Sequence, residues 1–439
     1  MQSRSRWFGV ALAALGWYGV EFSTAALAVA RAQSPDEPRI ARLVRELGAE
    51  SFAARQAANQ ALLQLGAAGR SALEAAVQST DPEVRLRARD LLQRLRTEQL
   101  WSAGPVTLAC REAPLAKIVE QLGQQAGNHL LVGEQYGRFE DKTISLALDK
   151  APYWQAIDEI CRQSDNHVRP HYNPRRPGLV LVAGPPGNNP VAYGGPLRAT
   201  IIDARRAFQE DLDFEEGKSQ VAHTFQFNLQ LLWEDRFRVV AYRSGPDVVH
   251  AVTDQGAVLA AMVGEGPTWS VAPGGVRQLS TTLKLQPPLR AARQLRELTL
   301  SWELIAVGEM ATLEVKDLAA SQRHRRDDVE LVIERIEERP GGRYLLTAVV
   351  SRDLVHPEPR EALLHENQIE LFDAEGRALQ NYGENSALAD DGARLTVTFQ
   401  AAQADSKPAM LRLTYPQVRS QRAVEIKFKD VPLPVTWPD

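Results

Sequence analysis

Residues 225–233, Phe-Gln-Phe-Asn-Leu-Gln-Leu-Leu-Trp, and residues 298–304, Leu-Thr-Leu-Ser-Trp-Glu-Leu, are the two stretches that decide the fold. Apolar and polar residues alternate along most of both stretches. Because successive side chains of a β-strand point to opposite faces of a sheet, a period of two predicts strands with one buried face. Further strands are predicted towards the C-terminus, separated by turn residues such as those at 340–342 and 390–392. Many short strands at near-regular spacing are typical of antiparallel sandwiches.

The β-rich region contains a faint internal duplication. The similar segments are 252–259 with 371–379, each with a glycine at a turn, and 313–318 with 426–431, each at the end of a strand. We therefore predict two related all-β, immunoglobulin-like sandwiches at 198–322 and 323–439. The alternative is one larger sandwich with helical interruptions. The residues at 184–197, rich in Gly, Pro and Asn, predict a linker before this region.

Residues 104–183 show a different pattern, in which strand-like and helix-like periods alternate. The predicted order is strand 106–110, helix 113–126, strand 129–132, strand 143–148, helix 153–163, strand 167–172 and strand 179–182. A first strand–helix pair is thus followed by a second one. The segment predicts an α+β domain of βαβ-βαββ order.

Two short motifs of this α+β domain carry a family resemblance. Ala113-Pro-Leu115 joins the first strand to its helix, and Lys150-Ala-Pro-Tyr153 joins the second pair. With this order of elements, the domain resembles the short N-terminal domain of secretins and TonB-dependent receptors. The resemblance implies protein–protein contacts in the cell envelope and no catalysis. The sequence departs from both families because neither kind of barrel follows, so we carry over no pore or receptor function.

Residues 36–97 contain a helical repeat, in which residues 51–65 match residues 81–95 at a single offset. The matched residues are Ser51 with Asp81, Arg55 with Arg85, Ala58 with Ala88, Leu62 with Leu92 and Leu65 with Leu95. Ser51 and Asp81 are both residue types that cap the N-terminus of a helix. The segment resembles an all-α pair of HEAT-like helical repeats. Two repeats bury little apolar surface, so we expect this module to need a neighbour or another chain.

The charged residues of this helical segment are mostly arginines. Between Arg39 and Arg96 there are ten arginines, no lysine and six acidic residues. A solvated helix surface accounts for this composition. The alternative is a positive ridge that docks an acidic partner or a phosphate-bearing envelope polymer, with Arg85, Arg87 and Arg89 as its candidate residues.

The N-terminus predicts export. Arg4 and Arg6 precede a mostly apolar stretch at 7–20, and an A-x-A cleavage site ends at Ala32. These are the parts of a secretory signal peptide. The alternative, an uncleaved membrane anchor, needs a longer apolar run than the one that Glu21 interrupts. We expect the mature chain, cleaved after Ala32, in the periplasm or at the cell surface, with no transmembrane span.

The two cysteines, Cys110 and Cys161, are predicted on the apolar sides of a strand and a helix of the α+β domain. In an oxidising compartment a disulfide between them is compatible with this placement. Two buried thiols are the state that we favour. Two cysteines in the whole chain also exclude a disulfide-rich scaffold and a zinc site of four thiolates.

Composition and motifs argue against several classes of function. The formal charge of -4 gives no general electrostatic case for binding nucleic acid. No nucleophile elbow, zincin helix or Walker loop occurs, so we predict no catalytic, cofactor-binding or metal-binding residue. His167 and His171 have a metal-ligand spacing only on a helix, which Pro170 disfavours. The acidic residues Asp211, Asp213, Glu215 and Glu216 are read as solvated surface rather than a calcium site.

Three tryptophans are candidates for a sugar platform. Trp233, Trp269 and Trp302 lie in or near predicted strands, where a place in the core is the favoured interpretation. A glycan-binding site built from these aromatic residues is the alternative.

These observations favour a non-catalytic, exported envelope protein that acts as a protein–protein interaction or structural adaptor. The alternative is a glycan- or cell-wall-binding protein that uses its β-sandwich modules, and an unrecognised hydrolase is the third hypothesis. The order of modules resembles exported multi-domain proteins of planctomycete-like bacteria. That resemblance implies architecture and location, with an envelope protein as partner, and no biochemical role.

Overall fold

A computed structural model gives the fold of most of the chain. The described residues are 37–127, 130–131, 142–171, 178–215, 217–262, 268–272, 277–326, 328–352, 367–390, 392–401, 403 and 406–434. The predicted signal peptide lies outside them. Within them strands predominate and form several sheets, so this is a β-rich protein of more than one domain. The chain divides into two compact units, one ending at Ala88 and one beginning at Arg89.

The first unit is helical. Its helices are α1 (Glu37–Glu46), α2 (Phe52–Leu65), α3 (Ala67–Ala76) and the start of α4 (Pro82–Trp101). The predicted caps are confirmed: Ser51 Oγ accepts from the backbone N–H of Ala54 at 3.5 Å, and Asp81 Oδ1 accepts from that of Glu83 at 2.8 Å. Each cap pairs a backbone donor that the helix itself leaves unpaired.

The sequence repeat is also a repeat of contacts. Arg55 donates from Nη1 to the carbonyl oxygens of residues 49 and 50, both at 2.7 Å. Arg85 donates from Nη1 to those of residues 79 and 80, at 2.7 and 2.8 Å. The two arginines therefore hold the loops that precede α2 and α4 in the same way.

The α+β module contains β1 (Pro105–Pro114), α5 (Leu115–Ala126), β2 (Leu130–Leu131), β3 (Thr143–Pro152), α6 (Tyr153–Ser164), β4 (Asn166–His171) and β5 (Gly178–Ala183). Strand β1 pairs with β3, and a separate sheet has the order β2-β5-β4. Its two strand–helix pairs share one turn geometry, because Glu112 and Lys150 have φ values of 47° and 49°. Pro114 and Pro152 then occupy the N-cap positions of the two helices, each with φ of -57°.

Two β modules make up the rest of the second unit. The first has β6 (Val191–Gly194), β7 (Leu197–Asp213), β8 (Lys218–Trp233), β9 (Arg238–Arg243), β10 (Asp247–Thr253), β11 (Trp269–Val271) and β12 (Gln278–Leu285). The second has β14 (Gln322–Arg326), β15 (Val329–Arg339), β16 (Arg343–Arg352), β17 (Gln368–Asp373), β18 (Gln380–Leu388) and β19 (Gly392–Gln400). Strands β13 (Gln294–Lys316) and β20 (Pro408–Pro432) belong to both.

The modules contain three larger sheets. Their strand orders are β12-β8-β7-β6, β11-β9-β13-β20-β17 with β10 also on β13, and β14-β15-β16-β19-β18. The second of these sheets runs through both modules, because β13 and β20 pair antiparallel from Gln294↔Pro432 to Lys316↔Met410. Residues 294–307 and 418–432 help to enclose the first core, and 310–316 and 408–416 help to enclose the second.

This shared ribbon differs from the division of the chain at 322/323 that the sequence suggests. Leu300 and Trp302 on β13 pack in the same core as Ile426 and Phe428 on β20, and all four side chains are at most 1% exposed. The second module is therefore placed in the chain between two strands that complete the first.

The predicted duplication corresponds to repeated turns. Gly256 and Gly376 have φ values of 80° and 77°, and the strand ends at Asp317 and Asp430 have φ values of 56° and 51°. The backbone N–H of Leu259 donates to Ala251 at 2.9 Å, as that of Leu379 donates to Leu371 at 2.8 Å. The similar segments thus adopt the same local backbone.

The shared ribbon can be tested with two fragments. We expect residues 89–439 to unfold cooperatively and residues 89–322 to lack a folded first β module, because the shorter fragment loses the β20 neighbour of β13. Circular dichroism and tryptophan fluorescence during urea unfolding measure this. Equal cooperativity in both fragments would contradict the shared ribbon.

Candidate interaction surfaces

The end of α4 contacts the point at which β13 and β20 pass from the first β module to the second, which we name the crossing point (residues 308–310 and 416–420). Leu100 packs on Gly308, where an added Cβ would lie 2.8 Å from the leucine Cδ1. Arg96 pairs with Glu309 at 3.1 Å, and Glu309 has a φ of 47°. Gly308 thus leaves the space, and Glu309 supplies the charge, that receive the end of α4.

Trp101 is the centre of this contact. Its ring lies edge-on to Phe237 at 5.0 Å and beneath the Arg422 guanidinium at 5.4 Å, and its Nε1 donates to Ser420 Oγ at 3.0 Å. Arg422 also donates to Glu98 at 2.6 Å. Aromatic packing, a cation–π contact and a hydrogen bond therefore act on one side chain that is 5% exposed.

A buried carboxylate holds the chain just after α4. Glu234 is fully buried, and its Oε2 accepts from Arg236 Nε at 2.6 Å while its Oε1 accepts from the backbone N–H of Gly104 at 2.9 Å. Arg236 also donates to the carbonyl oxygens of Gln99, at 3.0 Å, and Ser102. A charge removed from water requires such pairing, so these groups depend on one another.

Helix α6 attaches the α+β module to the first β module. Trp154 Nε1 donates to the Pro196 carbonyl at 2.9 Å, and Asp158 accepts from Arg198 Nε at 2.9 Å and from the Tyr193 hydroxyl at 2.5 Å. Burial, together with the hydrogen bond to Asp158, raises the pKa of Tyr193. This face of α6 is therefore occupied within the chain.

The two cysteines are free thiols in the structure. Cys110 is half-buried on β1 and Cys161 is buried on α6, both beside the core of the α+β module. Burial, and then the negative charge of Asp158, raise the pKa of Cys161 to about 12. A thiol with so high a pKa is almost entirely protonated at neutral pH and is a poor nucleophile.

The three candidate arginines have different environments. Arg85 holds a loop through its backbone contacts, and Arg87 pairs with Glu83 at 2.6 Å. Arg89 is exposed. Arg85 and Arg87 both have contacts within the helical unit. Of the three arginines that the sequence suggests for a positive ridge, Arg89 is therefore the one that remains a candidate.

The other candidate sites do not come together as sites. His167 Nδ1 lies 3.2 Å from the Gly184 carbonyl, and His171 lies on the same strand, β4. Among the described residues, no group of three or more metal-ligating side chains occurs. Glu216, the last residue of the acidic run, lies outside the described residues. Trp233 and Trp302 are at most 1% exposed and belong to the core, whereas Trp269 is half-buried on β11.

One open cleft lies on the outer face of the second β module. It measures about 680 Å³ and is lined by Ser321, Arg323, Val332, Glu334, Arg335 and Thr347. Glu334 already accepts from Arg394 at 2.9 and 3.0 Å. The cleft is a charged sheet surface, without the apolar floor typical of small-molecule sites.

The β7–β8 hairpin presents a surface that the sequence interpretation did not identify. Strand β12 pairs with β8 only as far as Phe225, and β6 pairs with β7 only as far as Thr200. Beyond Arg206↔Phe225, the two strands continue as a ribbon that pairs with no other strand among the described residues, here named the β7–β8 arm (207–224). It exposes large apolar side chains: Phe208 is 49%, Leu212 53% and Phe214 89% exposed. The signal in the sequence was the apolar residues within the acidic run, which we treated only as charged surface.

The buried Glu234 pair predicts a stability difference. Replacing Arg236 by alanine leaves the carboxylate buried without its cation, so we expect the free energy of unfolding of the full chain to fall by about 3 kcal/mol. Replacing Arg323, whose side chain is 68% exposed beside Glu330, should cost less than about 1 kcal/mol. Urea denaturation at pH 7 measures both values. Equal losses would show that the Glu234 pair is not a buried contact.

The thiols predict a simple titration. Denatured, non-reduced protein should react with two equivalents of Ellman's reagent, whereas the native protein at pH 8 should react at Cys161 far more slowly than a free thiol. Burial both raises its pKa and leaves it 2% exposed. Finding no free thiol after denaturation would instead establish the disulfide.

Comparisons with known proteins leave the chain without a family. No family model matches it, and no curated protein matches it. A solved structure described as the crystal structure of the conserved domain protein from Bacillus anthracis is similar over 54% of this chain and 89% of that one, with 11% identity and a TM-score of 0.17. So low a score carries no argument about fold or function. In the described residues, no helix has both the length and the apolar character needed to span a membrane.

Proposed function

We propose that this protein is an exported, non-catalytic structural adaptor of the cell envelope, in which the described residues between 89 and 434 form one body of fixed internal spacing. The contact of α4 with the crossing point is the observation that carries the proposal. Leu100, Trp101 and Arg96 attach the helix to the two strands that both β modules share.

Fixed spacing matters because the default for neighbouring modules is relative motion. Interfaces between modules of one chain are usually modest and polar, which permits such motion. Here the chain after α4 is held by the buried Glu234, and the α+β module is held by Asp158 with Arg198. A body joined by one buried carboxylate and one partly buried charge pair suits a spacer that presents several surfaces at set distances.

Finer fold assignments belong to this proposal. We infer a HEAT-like helical pair at 36–97, a secretin/TonB short N-terminal-like domain at 104–183 and two immunoglobulin-like β modules. The repeated contacts of Arg55 and Arg85 support the first, the repeated strand–helix turn supports the second, and the repeated turns at Gly256 and Gly376 support the third. All three are module types suited to binding other proteins, so an envelope protein is the proposed partner.

A glycan- or cell-wall-binding function remains the alternative, with a smaller candidate site than the sequence suggests. Two of its three tryptophans are core residues, which leaves Trp269 at the edge of the first β module, packed partly against Val240, Ile305 and neighbouring residues. One half-buried ring is a small platform for a sugar.

Cross-linking in the native envelope distinguishes these functions. We expect a tagged mature chain to capture the same envelope protein reproducibly, and the variant Trp269→Ala to capture it equally well, because that ring is not part of the proposed contact. The readout is mass spectrometry together with analysis of bound cell-wall polymer. Polymer that is lost with Trp269→Ala would favour the glycan function, and capture of nothing by either chain would contradict the adaptor.

A further inference from the structure

Strand β18 lies at the edge of a sheet of the second β module and has little protection there. It pairs with β19 on one side, and no described strand pairs with its other side. Eight of its nine residues are exposed, including Tyr382 at 63% and Leu388 at 40%. The unpaired N–H and C=O groups of such an edge are a template for another strand, which proteins usually block with lysine, proline or a short strand. Strand β18 contains no lysine, arginine or proline.

Three other edge strands show the usual protection. Strand β14, at the opposite edge of the same sheet, has five residues, of which three are arginines. Strand β3 ends with Lys150 and Pro152 among its last three residues. The edge of β12 is closed at one end, because the backbone N–H of Met262 donates to the Lys284 carbonyl at 2.9 Å. The bare edge of β18 therefore differs from them and is suited to receive a strand.

The turn between β18 and β19 determines which backbone groups face the free edge. The backbone N–H of Ala389 donates to the Gly392 carbonyl at 2.8 Å, so these two residues form a hydrogen-bonded pair. Antiparallel strands alternate hydrogen-bonded with non-hydrogen-bonded pairs, and the register of residues 384–388 with β19 is unbroken. The N–H and C=O groups that face away from β19, to the free edge, are therefore those of Leu388, Ser386 and Glu384.

We propose that a second copy of this chain adds its β18 to this edge, antiparallel about a two-fold axis at Asn385. The axis places Glu384 of each copy opposite Ser386 of the other. Because both residues direct their N–H and C=O groups to the edge, each such pair exchanges two backbone hydrogen bonds. The two five-stranded sheets then form one continuous sheet. A two-fold interface uses one patch twice, and an antiparallel pair of identical strands meets that condition.

Charge selects this register among those that the backbone permits. An axis between two residues would pair a residue that faces the edge with one that faces β19, so the axis must pass through a residue. At Glu384 it would place two carboxylates opposite each other, which destabilises a sheet. At Ser386 it would place Glu384 against the apolar Leu388. At Asn385 each carboxylate meets a serine hydroxyl, which donates to it, and two amides meet at the centre.

A proline at the edge tests the pairing. Ser386→Pro removes an N–H that faces the free edge and that β19 does not use, so the variant should fold and yet weaken the dimer by about tenfold or more. The matched control, Ser386→Ala, keeps the N–H and should remain a dimer. Ala387→Pro removes a bond to β19 instead and should lower the free energy of unfolding more than Ser386→Pro does. Sedimentation equilibrium of the mature chain (33–439) measures the dimer, and urea denaturation measures folding.

A charge at residue 386 tests the register. Ser386→Lys places a cation opposite Glu384 of the other copy and should tighten the dimer, whereas Ser386→Glu places a carboxylate there and should weaken it by about tenfold. A monomeric parent chain at about 100 μM would overturn the proposal, since that concentration exceeds the Kd of an ordinary specific contact. A dimer that survives Ser386→Pro, or one that both charged variants weaken, would also overturn it, as would equal losses of stability from the two prolines. The dimer does not rest on the proposed adaptor function, which is tested by the capture of a different protein.

Discussion

The antiparallel pairing of β13 with β20 is the constraint on which the second unit depends. It runs without a change of partner from Gln294↔Pro432 to Lys316↔Met410, and its two ends help to enclose two different cores. Since a shift of one residue in the register of a strand turns every side chain to the opposite face, one slip would place apolar residues of both cores in water. The register of one module therefore fixes that of the other.

Helix α4 supports this pairing at the crossing point. At Glu309, which has a φ of 47°, the ladder omits one residue pair without a change of register, and in an uncovered ribbon this gap would be a place to bend. Helix α4 covers it with Leu100 on Gly308, Arg96 on Glu309 and Trp101 on Ser420. Because Arg236 and the buried Glu234 hold the chain that leaves α4, the helix is attached at its end as well as along its side.

Local features of the fold were predictable from the sequence, and contacts between distant residues were not. The caps at Ser51 and Asp81 and the repeated turns follow from residue types that favour one local conformation. The return of β20 to the first β module does not follow from residue types. Alternating apolar and polar residues show that a strand has a buried face, but they do not show which strand lies beside it. Arginine is usually a surface residue, yet the Arg85 guanidinium donates to backbone carbonyl oxygens. The pattern of side chains in the sequence gives no sign of such a contact.

Among the candidate surfaces, too, local features were predictable from the sequence and features set by distant residues were not. Trp233 and Trp302 are in the core, as the favoured interpretation of their strands predicts. The β7–β8 arm was missed because its apolar residues stand within an acidic run that is read as solvated surface. Its exposure results from the neighbouring strands β6 and β12 ending earlier than the hairpin does. The residue at which a neighbouring strand ends depends on the whole sheet, so the sequence of the hairpin does not show it.

Hydrogen exchange on the intact chain, followed by mass spectrometry at increasing denaturant, tests the central claim most directly. If β13 and β20 make one ribbon that supports both β modules, peptides from 294–307 and 418–432 should open with the same free energy and denaturant dependence as peptides from 310–316 and 408–416. Two separate openings, one for each β module, would contradict the account.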